Sequence, residues 1–385
     1  MKDFIVDYLK DIIPVCFNLK RKDQNTIVGI GEPEFTVTLN KEIRKSDLLK
    51  STSLALGEAY MNGDIQIDKD IYEVLDKFMG NMDKFKTNRL KLGRLFLNSV
   101  SRQYQKKEVS SHYDIGNDFY KLWLDETLSY SCAYFKSKDD SLYEAQVNKV
   151  DHILEKLHLE ESMTLLDIGC GWGFLLIQAA KKYKIKGVGI TLSIEQYNKF
   201  RDLIKEENLE DYLQVKLMDY RDLKISGFKF DRVVSVGMIE HVGRKNYDLF
   251  MENVDSVLKP QGLFLLHYIS ALRENKGDPW IRKYIFPGGV IPSLREIIDL
   301  LPNYNFYTLD IESLRRHYNK TLLLWRENFI NNKEKIIDMM GIEFTRMWEL
   351  YLASCAASFN NGIVDVHQIL ISKGINNNLP MNRIV

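Results

Sequence analysis

The sequence has few cysteines, and their arrangement does not favour a covalent or metal cross-link. Cys16, Cys132, Cys170 and Cys355 are the four cysteines in 385 residues, and no two of them form a CxxC pair. Neither a disulfide framework nor a thiolate zinc site is therefore expected. The seven histidines show no HxxxH spacing, so we expect no metal centre. This use of cysteine is typical of a reducing cytoplasm.

An excess of charge of one sign and long apolar runs are also missing. The 53 basic residues balance 53 acidic ones, which argues against a nucleic-acid binder but leaves a local basic patch open. No run approaches the roughly 20 apolar residues of a membrane span. The first residues, MKDFIVDYLKDIIPV, carry acidic groups among apolar ones and lack the continuous apolar region of a signal peptide. A lipid substrate would have to be reached from the water side.

The residues that are present predict a globular protein with two parts. Hydrophobic residues make up 45% of the sequence, and its 385 residues exceed the usual size of one domain. We predict a small α+β domain over residues 1–83. Its strands are expected at IVGI and FTVTL, around Gly31 and Pro33, and a helical stretch is expected from Ser46 to a stop at Gly63.

A basic amphipathic linker is predicted over residues 84–109. Between positions 84 and 107 there are eight Lys or Arg and no Asp or Glu, interleaved with Leu and Phe. A solvated helix that packs its apolar stripe on the protein is the commoner explanation for such a pattern. The alternative is docking to anionic lipid headgroups, to which each basic side chain contributes about 1 kcal/mol.

Residues 110–385 predict an α/β domain. From residue 145, short apolar runs such as TLLDIG, KGVGIT, FDRVVSVG and GLFLLHYI alternate with amphipathic helical stretches. This alternation indicates a doubly wound, mainly parallel sheet that is covered by helices on both faces.

A glycine-rich loop follows the first of these strands. Its sequence is DIGCGWG, from Asp167 through Gly169 and Gly171 to Gly173. Glycines at alternating positions let the backbone approach a nucleotide-like ligand at the carboxyl end of the sheet. The GxGxG spacing differs from the GxGxxG of dinucleotide enzymes and lacks the Lys-Ser/Thr of a phosphate loop. The loop resembles the first motif of S-adenosylmethionine methyltransferases.

Two further strand ends extend the predicted cofactor site. The second strand ends in Thr191-Leu192-Ser193, followed by Gln196, and Ser193 with Gln196 fits a capping box at a helix start. That structural role and contact with a cofactor are compatible. Asp219 and Tyr220 close the third strand, where the methyltransferase fold implies contacts on the adenine side.

A wider set of motifs resembles cyclopropane fatty acid synthases, a family of class I, Rossmann-like methyltransferases. The motifs are HYDIGN at 112–117, YSCAY at 130–134, DIGCGWG at 167–173, TLS at 191–193, GMIEHVG at 237–243, LH at 266–267, YIFPGG at 284–289 and RHY at 316–318. They keep the family's order, and LGEAYM at 56–61 extends the match into the N-terminal domain, which is lipid-associated in bacterial members. The resemblance implies S-adenosylmethionine as cofactor and adds Tyr113, Tyr130 and Ser131 to its predicted contacts.

The family's reaction adds a methylene bridge across double bonds of membrane phospholipid acyl chains. An alkene is a weak nucleophile, so the sulfonium methyl must be held against it in a dry site. Methyl transfer leaves a carbocation, and a base must then remove a proton from the transferred methyl so that the ring closes. In the family that base is a bound bicarbonate ion.

Bicarbonate has one O–H donor and several acceptor oxygens. Carried over from the family, Glu240 accepts the O–H, His267 and Tyr318 donate to the oxygens, and a backbone N–H near Cys132 completes the shell. Each residue also has a purely structural interpretation: Glu240 can cap a helix, His267 can be a core histidine and Tyr318 can pack. Their joint occurrence in the family's context favours the functional interpretation.

Cys355 matches a family cysteine once proposed as a nucleophile. The chemistry requires no thioether to the enzyme, so we interpret this thiol as a small residue filling a helix contact. It stays a candidate site residue.

Rival functions remain open from the sequence. One is a methyltransferase of the same fold that acts on a small amine, which needs no carbocation base. Another is an enzyme that makes a methyl-branched or hydroxylated lipid, and a third is a non-catalytic lipid-binding protein, in which the glycine loop would be expected to decay. The family implies a cytoplasmic protein associated peripherally with the inner face of the membrane, with no nucleic acid partner, and leaves a homodimer open.

Overall fold

The computed structural model describes residues 15–22, 24–29, 31–81 and 116–382. The chain divides into two compact units. The first comprises Met1–Gln103, Asp278–Ile285 and Leu322–Gly362, and the second comprises Tyr104–Gly277, Phe286–Thr321 and Ile363–Val385. The basic segment 84–107 and Tyr113 lie outside the described residues.

The described residues form eleven strands. They are β1 (Phe17–Arg21), β2 (Gln24–Val28), β3 (Thr36–Leu39), β4 (Ile65–Ile67), β5 (Thr164–Ile168), β6 (Lys186–Thr191), β7 (Leu213–Leu217), β8 (Phe230–Val236), β9 (Leu258–Ala271), β10 (Phe306–Ser313) and β11 (Val364–Lys373).

The α-helices of the same residues follow in chain order. They are α1 (Lys45–Lys50), α2 (Thr52–Met61), α3 (Ile71–Gly80), α4 (Asn117–Tyr120), α5 (Leu142–Lys156), α6 (Phe174–Tyr183), α7 (Ile194–Glu206), α8 (Tyr247–Val257), α9 (Pro279–Tyr284), α10 (Leu294–Leu300), α11 (Arg315–Asn331), α12 (Lys333–Met340) and α13 (Ile342–Asn360).

The first unit contains a four-stranded sheet in the order β2-β1-β3-β4, with helices packed beside it. The helix predicted from Ser46 is two helices, because Ser51 is extended (φ −161°) and its hydroxyl accepts from the Leu54 N–H as the cap of α2. Gly57 on α2 lies against α9, where a Cβ would come within 2.3 Å of the Trp280 ring. The LGEAYM motif therefore serves helix packing in this unit.

The second unit confirms the doubly wound prediction. Its sheet has seven strands in the order β10-β11-β9-β8-β5-β6-β7. The pairs from β7 to β9 are all parallel, whereas β11 runs antiparallel to both β9 and β10. The sheet is thus mainly parallel with an antiparallel edge.

Alternating residues of the central strands explain why helices cover both faces of this sheet. Leu166, Val233 and Leu266 belong to one buried cluster. Their neighbours along the strands, Leu165, Val234 and Leu265, belong to a second buried cluster. Because successive side chains of a strand point to opposite faces, a strand that is apolar at consecutive positions needs cover on each side. Because helices cover both faces, we expect a ligand site at the end of the sheet where the parallel strands terminate.

Candidate functional site

The glycine loop begins where β5 ends and leads into α6. Gly169, Gly171 and Gly173 all have positive φ (+83°, +56° and +88°). The N–H groups of Gly169 and Cys170 both donate to the Ile190 carbonyl of β6, at 3.0 and 3.1 Å. A Cβ on Gly173 would lie 2.1 Å from the Phe200 ring, whereas a Cβ on Gly171 would meet no protein atom within 4 Å. Gly173 therefore serves packing, and Gly171 faces open space.

A cavity of about 210 Å³ opens at this edge of the sheet. Its walls include every predicted cofactor residue except Tyr113, which lies outside the described part of the chain. These residues are Tyr130, Ser131, Asp167, Gly169, Gly171, Thr191, Leu192, Gln196, Asp219 and Tyr220. They come from the ends of β5, β6 and β7 and from the segment before α5, which the chain brings together because carboxyl ends of parallel strands share one edge.

The polar residues after β6 and β7 are held by local hydrogen bonds. Ser193 caps α7 by accepting from the Gln196 N–H at 3.3 Å, as predicted. The reciprocal half of the predicted capping box does not form between these two described residues. The Ser193 N–H donates to the Thr191 hydroxyl at 3.2 Å, and the Gln196 Oε1 accepts from the same hydroxyl at 2.8 Å. The Asp219 carboxylate accepts from the Arg221 N–H at 3.0 Å, which fixes its position at the rim.

Sequence reasoning missed Lys149, a buried lysine in the cavity wall. It lies on α5, is 4% exposed, and donates to the Ser131 hydroxyl oxygen at 3.1 Å. Burial lowers its pKa to about 8, against the opposing influence of Asp125, Cys132 and Asp167. The signal was present as polar residues at positions 146 and 149 beside the apolar face of α5, but a lysine near an apolar stripe usually reaches solvent.

Asp167 is the buried acidic group of the cavity wall. It is 2% exposed, and burial raises its pKa to about 7, while the Lys149 charge acts to lower it. Its Oδ1 has no hydrogen-bond partner among the described residues. A buried, unsatisfied acceptor is costly, and a ligand that carries an ammonium and a sulfonium group fits this environment.

Glu240 and His267 lie next to the cavity without being among the described residues that line it. Glu240 follows β8 in a short 3-10 helix and is 9% exposed. Its Oε1 accepts from the Ile269 N–H at 2.7 Å, while its Oε2 has no partner in the described structure. His267 on β9 accepts with its carbonyl from the N–H of Gly237, a wall residue, at 2.8 Å.

The Glu240 carboxylate is therefore hydrogen-bonded to the backbone of β9 at Ile269, two residues along the strand from His267. Burial raises the pKa of Glu240 to about 7, and its hydrogen bond to the Ile269 N–H opposes this. Burial also lowers the pKa of His267 to about 3, with smaller contributions from Lys149 and Lys156. His267 is thus neutral at pH 7, and its ring has one N–H to donate.

Cys132 and Tyr318 meet at Leu314. The Cys132 thiol contacts the Leu314 carbonyl at 3.8 Å, and the Tyr318 N–H donates to the same carbonyl at 3.0 Å in the first turn of α11. The Ala133 N–H donates to the Thr321 hydroxyl at 3.1 Å. Burial raises the pKa of the Cys132 thiol, so this residue contributes backbone and shape, with the thiol protonated.

Cys355 does not belong to the same compact unit as the other candidate catalytic residues. It belongs to α13 in the first unit, whereas Cys132, Glu240, His267 and Tyr318 all belong to the second. Burial raises the pKa of its thiol to about 12, and a protonated thiol is a poor nucleophile. This agrees with the packing interpretation.

The described residues were also compared with the requirements of a membrane-spanning helix and of a metal site. Among them, no helix is both long enough and apolar enough to cross a membrane. Residues 15–81 and 116–382, apart from the undescribed positions 23 and 30, also contain no group of three or more His, Cys, Asp or Glu that could hold a metal ion.

We expect Gly171→Val to lower cofactor affinity at least tenfold, about 1.4 kcal/mol, because the new side chain would project into open space at the cavity wall. The matched control is Gly227→Val. Gly227 also has positive φ (+73° against +56° for Gly171) and nothing within 4 Å of a built Cβ, but it does not line the cavity. Calorimetric titration with S-adenosylmethionine checks the prediction, and equal affinity in the two folded variants would remove Gly171 from the site.

Comparison with known proteins identifies the family. Residues 100–369 match the family described as mycolic acid cyclopropane synthetase, and residues 5–89 match a domain of unknown function. The cyclopropane-fatty-acyl-phospholipid synthase of Escherichia coli K12 is 40% identical over 87% of each chain. A probable fatty acid methyltransferase of Pseudomonas putida is 36% identical over 92% of this chain and 91% of its own.

A solved structure supports the same assignment. Mycolic acid cyclopropane synthase CmaA1, in complex with SAH and CTAB, is 35% identical to this chain, with a TM-score of 0.66 over 72% of this chain and 100% of its own. SAH is the demethylated form of S-adenosylmethionine. The glycine loop, the sheet order and these relatives agree, and the chain therefore belongs to the mycolic acid cyclopropane synthetase family and is an S-adenosylmethionine-dependent methyltransferase.

Proposed function

We propose that this enzyme transfers a methylene group from S-adenosylmethionine to cis double bonds of unsaturated phospholipid acyl chains and so forms cyclopropane fatty acids. The Escherichia coli relative, 40% identical over 87% of this chain, is a cyclopropane-fatty-acyl-phospholipid synthase. The structural observation that supports the proposal is the buried Glu240 Oε2, which has no hydrogen-bond partner in the described residues. The next residue in the chain, His241, lines the cavity. Methylation of an amine forms no carbocation and so needs no base to remove a proton from the transferred methyl.

The cofactor supplies an electrophilic methyl group when it is bound. The acidic and polar walls of the cavity suit it: Asp167 offers a buried acceptor without a described partner, and Ser131 and Thr191 add hydroxyl groups. The glycine loop permits close approach of the backbone. These residues hold and orient the donor while the buried surroundings exclude water.

Proton removal is the step that requires Glu240 and His267. The alkene π electrons form a bond to the methyl carbon as the bond from that carbon to the sulfonium sulfur breaks; the sulfur keeps that electron pair and leaves as a neutral thioether, and a cation remains on the neighbouring acyl carbon. A C–H bond of the added methyl then breaks, its electrons close the three-membered ring, and the proton passes to a base; a bicarbonate ion would supply that base when bound. We propose that Glu240 accepts that ion's O–H and that His267, Tyr318 and a backbone N–H near Cys132 donate to its oxygens.

Lipids from cells with and without this protein test the function. Mass spectrometry is expected to show a gain of one CH₂ for each double bond, with loss of the alkene. A gain with an acyclic methyl branch would support the branched-lipid alternative, and unchanged lipids with methylated small amines would support the amine alternative. Unchanged lipids and amines would leave a non-catalytic lipid-binding role.

We also propose that the enzyme associates with the cytoplasmic surface of the membrane through the basic linker of residues 84–109, which lies outside the described residues, and that residues 1–83 assist as a lipid-associated domain. Binding to anionic vesicles is expected to exceed binding to neutral ones and to fall with added salt, because surface charges are screened over about 8 Å at physiological ionic strength. Co-sedimentation checks this. Equal, salt-insensitive binding to both vesicle types would return the linker to a purely structural role.

A further inference from the structure

A buried polar contact chain ends on His267. Helix α5 carries Lys156, which is 3% exposed. Its ammonium donates to the Gln368 Oε1 at 2.9 Å and to the Glu312 Oε2 at 2.5 Å. Gln368 in turn has its Nε2 3.2 Å from the His267 Nδ1. All four side chains belong to the second unit.

The sheet register places Gln368 and His267 opposite each other. They are directly paired residues of the antiparallel strands β11 and β9, so their side chains share a face of the sheet. Gln368 is 0% exposed and His267 is 2% exposed. Neither side chain can exchange its partner for water without moving the strands.

Lys156 fixes which way the Gln368 amide points. The oxygen and nitrogen of a glutamine amide have similar shapes, so their orientation must be assigned from their partners. A lysine ammonium can only donate, and it therefore selects the amide oxygen. Glu312 holds the ammonium from the other side through an ion pair, and its Oε2 also lies 2.7 Å from the His152 Nε2. The Gln368 NH₂ group is consequently turned toward His267.

The orientation of the amide determines the protonation of the imidazole. An NH₂ group can only donate, so the His267 Nδ1 must accept and carries no proton. The ring is neutral because burial lowers its pKa to about 3. A neutral imidazole has one proton, which then resides on Nε2.

We infer that Gln368 is a positioning residue that, clamped by Lys156, sets His267 in its Nε2–H form so that this nitrogen donates in the reaction. The role of that donor rests on the proposed function, in which His267 donates to the bicarbonate ion. The tautomer itself follows from the contacts within the protein. In histidines generally, the hydrogen bond made by one ring nitrogen determines whether the other nitrogen carries the proton.

Nitrogen-15 NMR of histidine-labelled full-length protein tests the inference without lipid or bicarbonate. The ring of His267, assigned by its loss in His267→Gln, is expected to show a protonated Nε2 and an unprotonated Nδ1. In Gln368→Glu the near-isosteric carboxylate can only accept, and it keeps Lys156 as partner. We expect this variant to move the proton to Nδ1.

The same Gln368→Glu variant is expected to lose roughly ten- to a hundredfold in kcat for lipid methylenation, since a donor to an anion is lost. Cofactor affinity should be unchanged, which separates a lost donor from a damaged fold. Gln368→Met, similar in length but without either polar atom, is expected to give a mixture of the two tautomers and an intermediate kcat.

Two results would overturn the inference: a protonated Nδ1 in the parent protein, or parental kcat in a Gln368→Glu variant whose His267 proton has moved to Nδ1. The predicted tautomers in a protein that produces no modified lipid would instead support the inference and contradict the proposed function. The two claims therefore fail separately.

Discussion

Replacing Glu240 with glutamine is expected to reduce cyclopropane formation by roughly ten- to a hundredfold. The substitution exchanges a carboxylate that only accepts for an amide that also donates. The bicarbonate O–H would lose its best acceptor, a hydrogen bond to a charged group worth roughly 1.5–3 kcal/mol. Cofactor affinity should scarcely change, because Glu240 is not among the described residues that line the cavity. Turnover on unsaturated phospholipid vesicles, with and without added bicarbonate, measures the effect.

The same variant is expected to be more stable than the parent at pH 8. Burial raises the pKa of Glu240 from 4.5 to about 7 in the folded protein, so the carboxyl's favourable contribution is complete below pH 4.5 and is lost as the pH rises through 7. At pH 8 the buried charge costs roughly 3 kcal/mol, and glutamine removes that cost while keeping an oxygen for the Ile269 N–H. Urea unfolding at pH 5 and pH 8 should show the advantage of Glu240→Gln growing with pH.

Glu296→Gln serves as the matched control for that variant. Hydrogen bonds and charge from Arg244 lower the pKa of Glu296 despite its partial burial, so its ionised form stabilises the fold and its removal should destabilise the protein at pH 8. Lower stability of Glu240→Gln at pH 8 would contradict the raised pKa of Glu240, and parental turnover in this variant under bicarbonate depletion would contradict the proposed anion pocket.

The second large effect is expected at Lys149. Replacing it with methionine removes the donor to the Ser131 hydroxyl and the positive charge that acts to lower the pKa of the buried Asp167, and an acceptor left without its donor typically costs about 1–3 kcal/mol. Urea unfolding measures the loss. A further Asp167→Asn substitution should recover part of it, because the remaining uncompensated carboxyl is then removed.

Lys181→Met is the comparison for Lys149→Met. Lys181 pairs with Glu207 at 2.7 Å, but both side chains are about two-fifths exposed, at 41% and 40%. Surface pairs of this kind contribute about 0–1 kcal/mol. Equal small losses in the two lysine variants would show that the buried contacts of Lys149 do not stabilise the fold.

Local patterns in the sequence predicted much of the catalytic fold. Consecutive apolar residues in β5, β8 and β9 indicated strands covered on both faces, and the glycines at 169 and 171 indicated the turn after β5. Ser193 was correctly predicted as a helix cap. These features depend on residues close together in the chain, which is why a single sequence reveals them.

Features that depend on distant contacts were not predicted. The strand β1 has an alternating burial pattern because Phe17 and Leu19 pack in a buried cluster with residues from other elements, such as Val74. Lys149 and Gln368 obtain their hydrogen-bond partners from distant parts of the chain, and their local sequence does not reveal those contacts. The break at Ser51 was missed because leucines on both sides of it favour helix, whereas the Ser51 hydroxyl caps the second segment.

The most direct test of the central claim is a single reaction with S-adenosylmethionine whose methyl group carries three deuterium atoms. The purified protein is incubated with vesicles of an unsaturated phospholipid and bicarbonate, and the acyl chains are analysed by mass spectrometry and NMR. The proposed reaction predicts loss of the double bond and a cyclopropane methylene that retains two deuterium atoms, because the third leaves with the base. A lipid that retains all three as a methyl branch, or a lipid that acquires no deuterium at all, would contradict it.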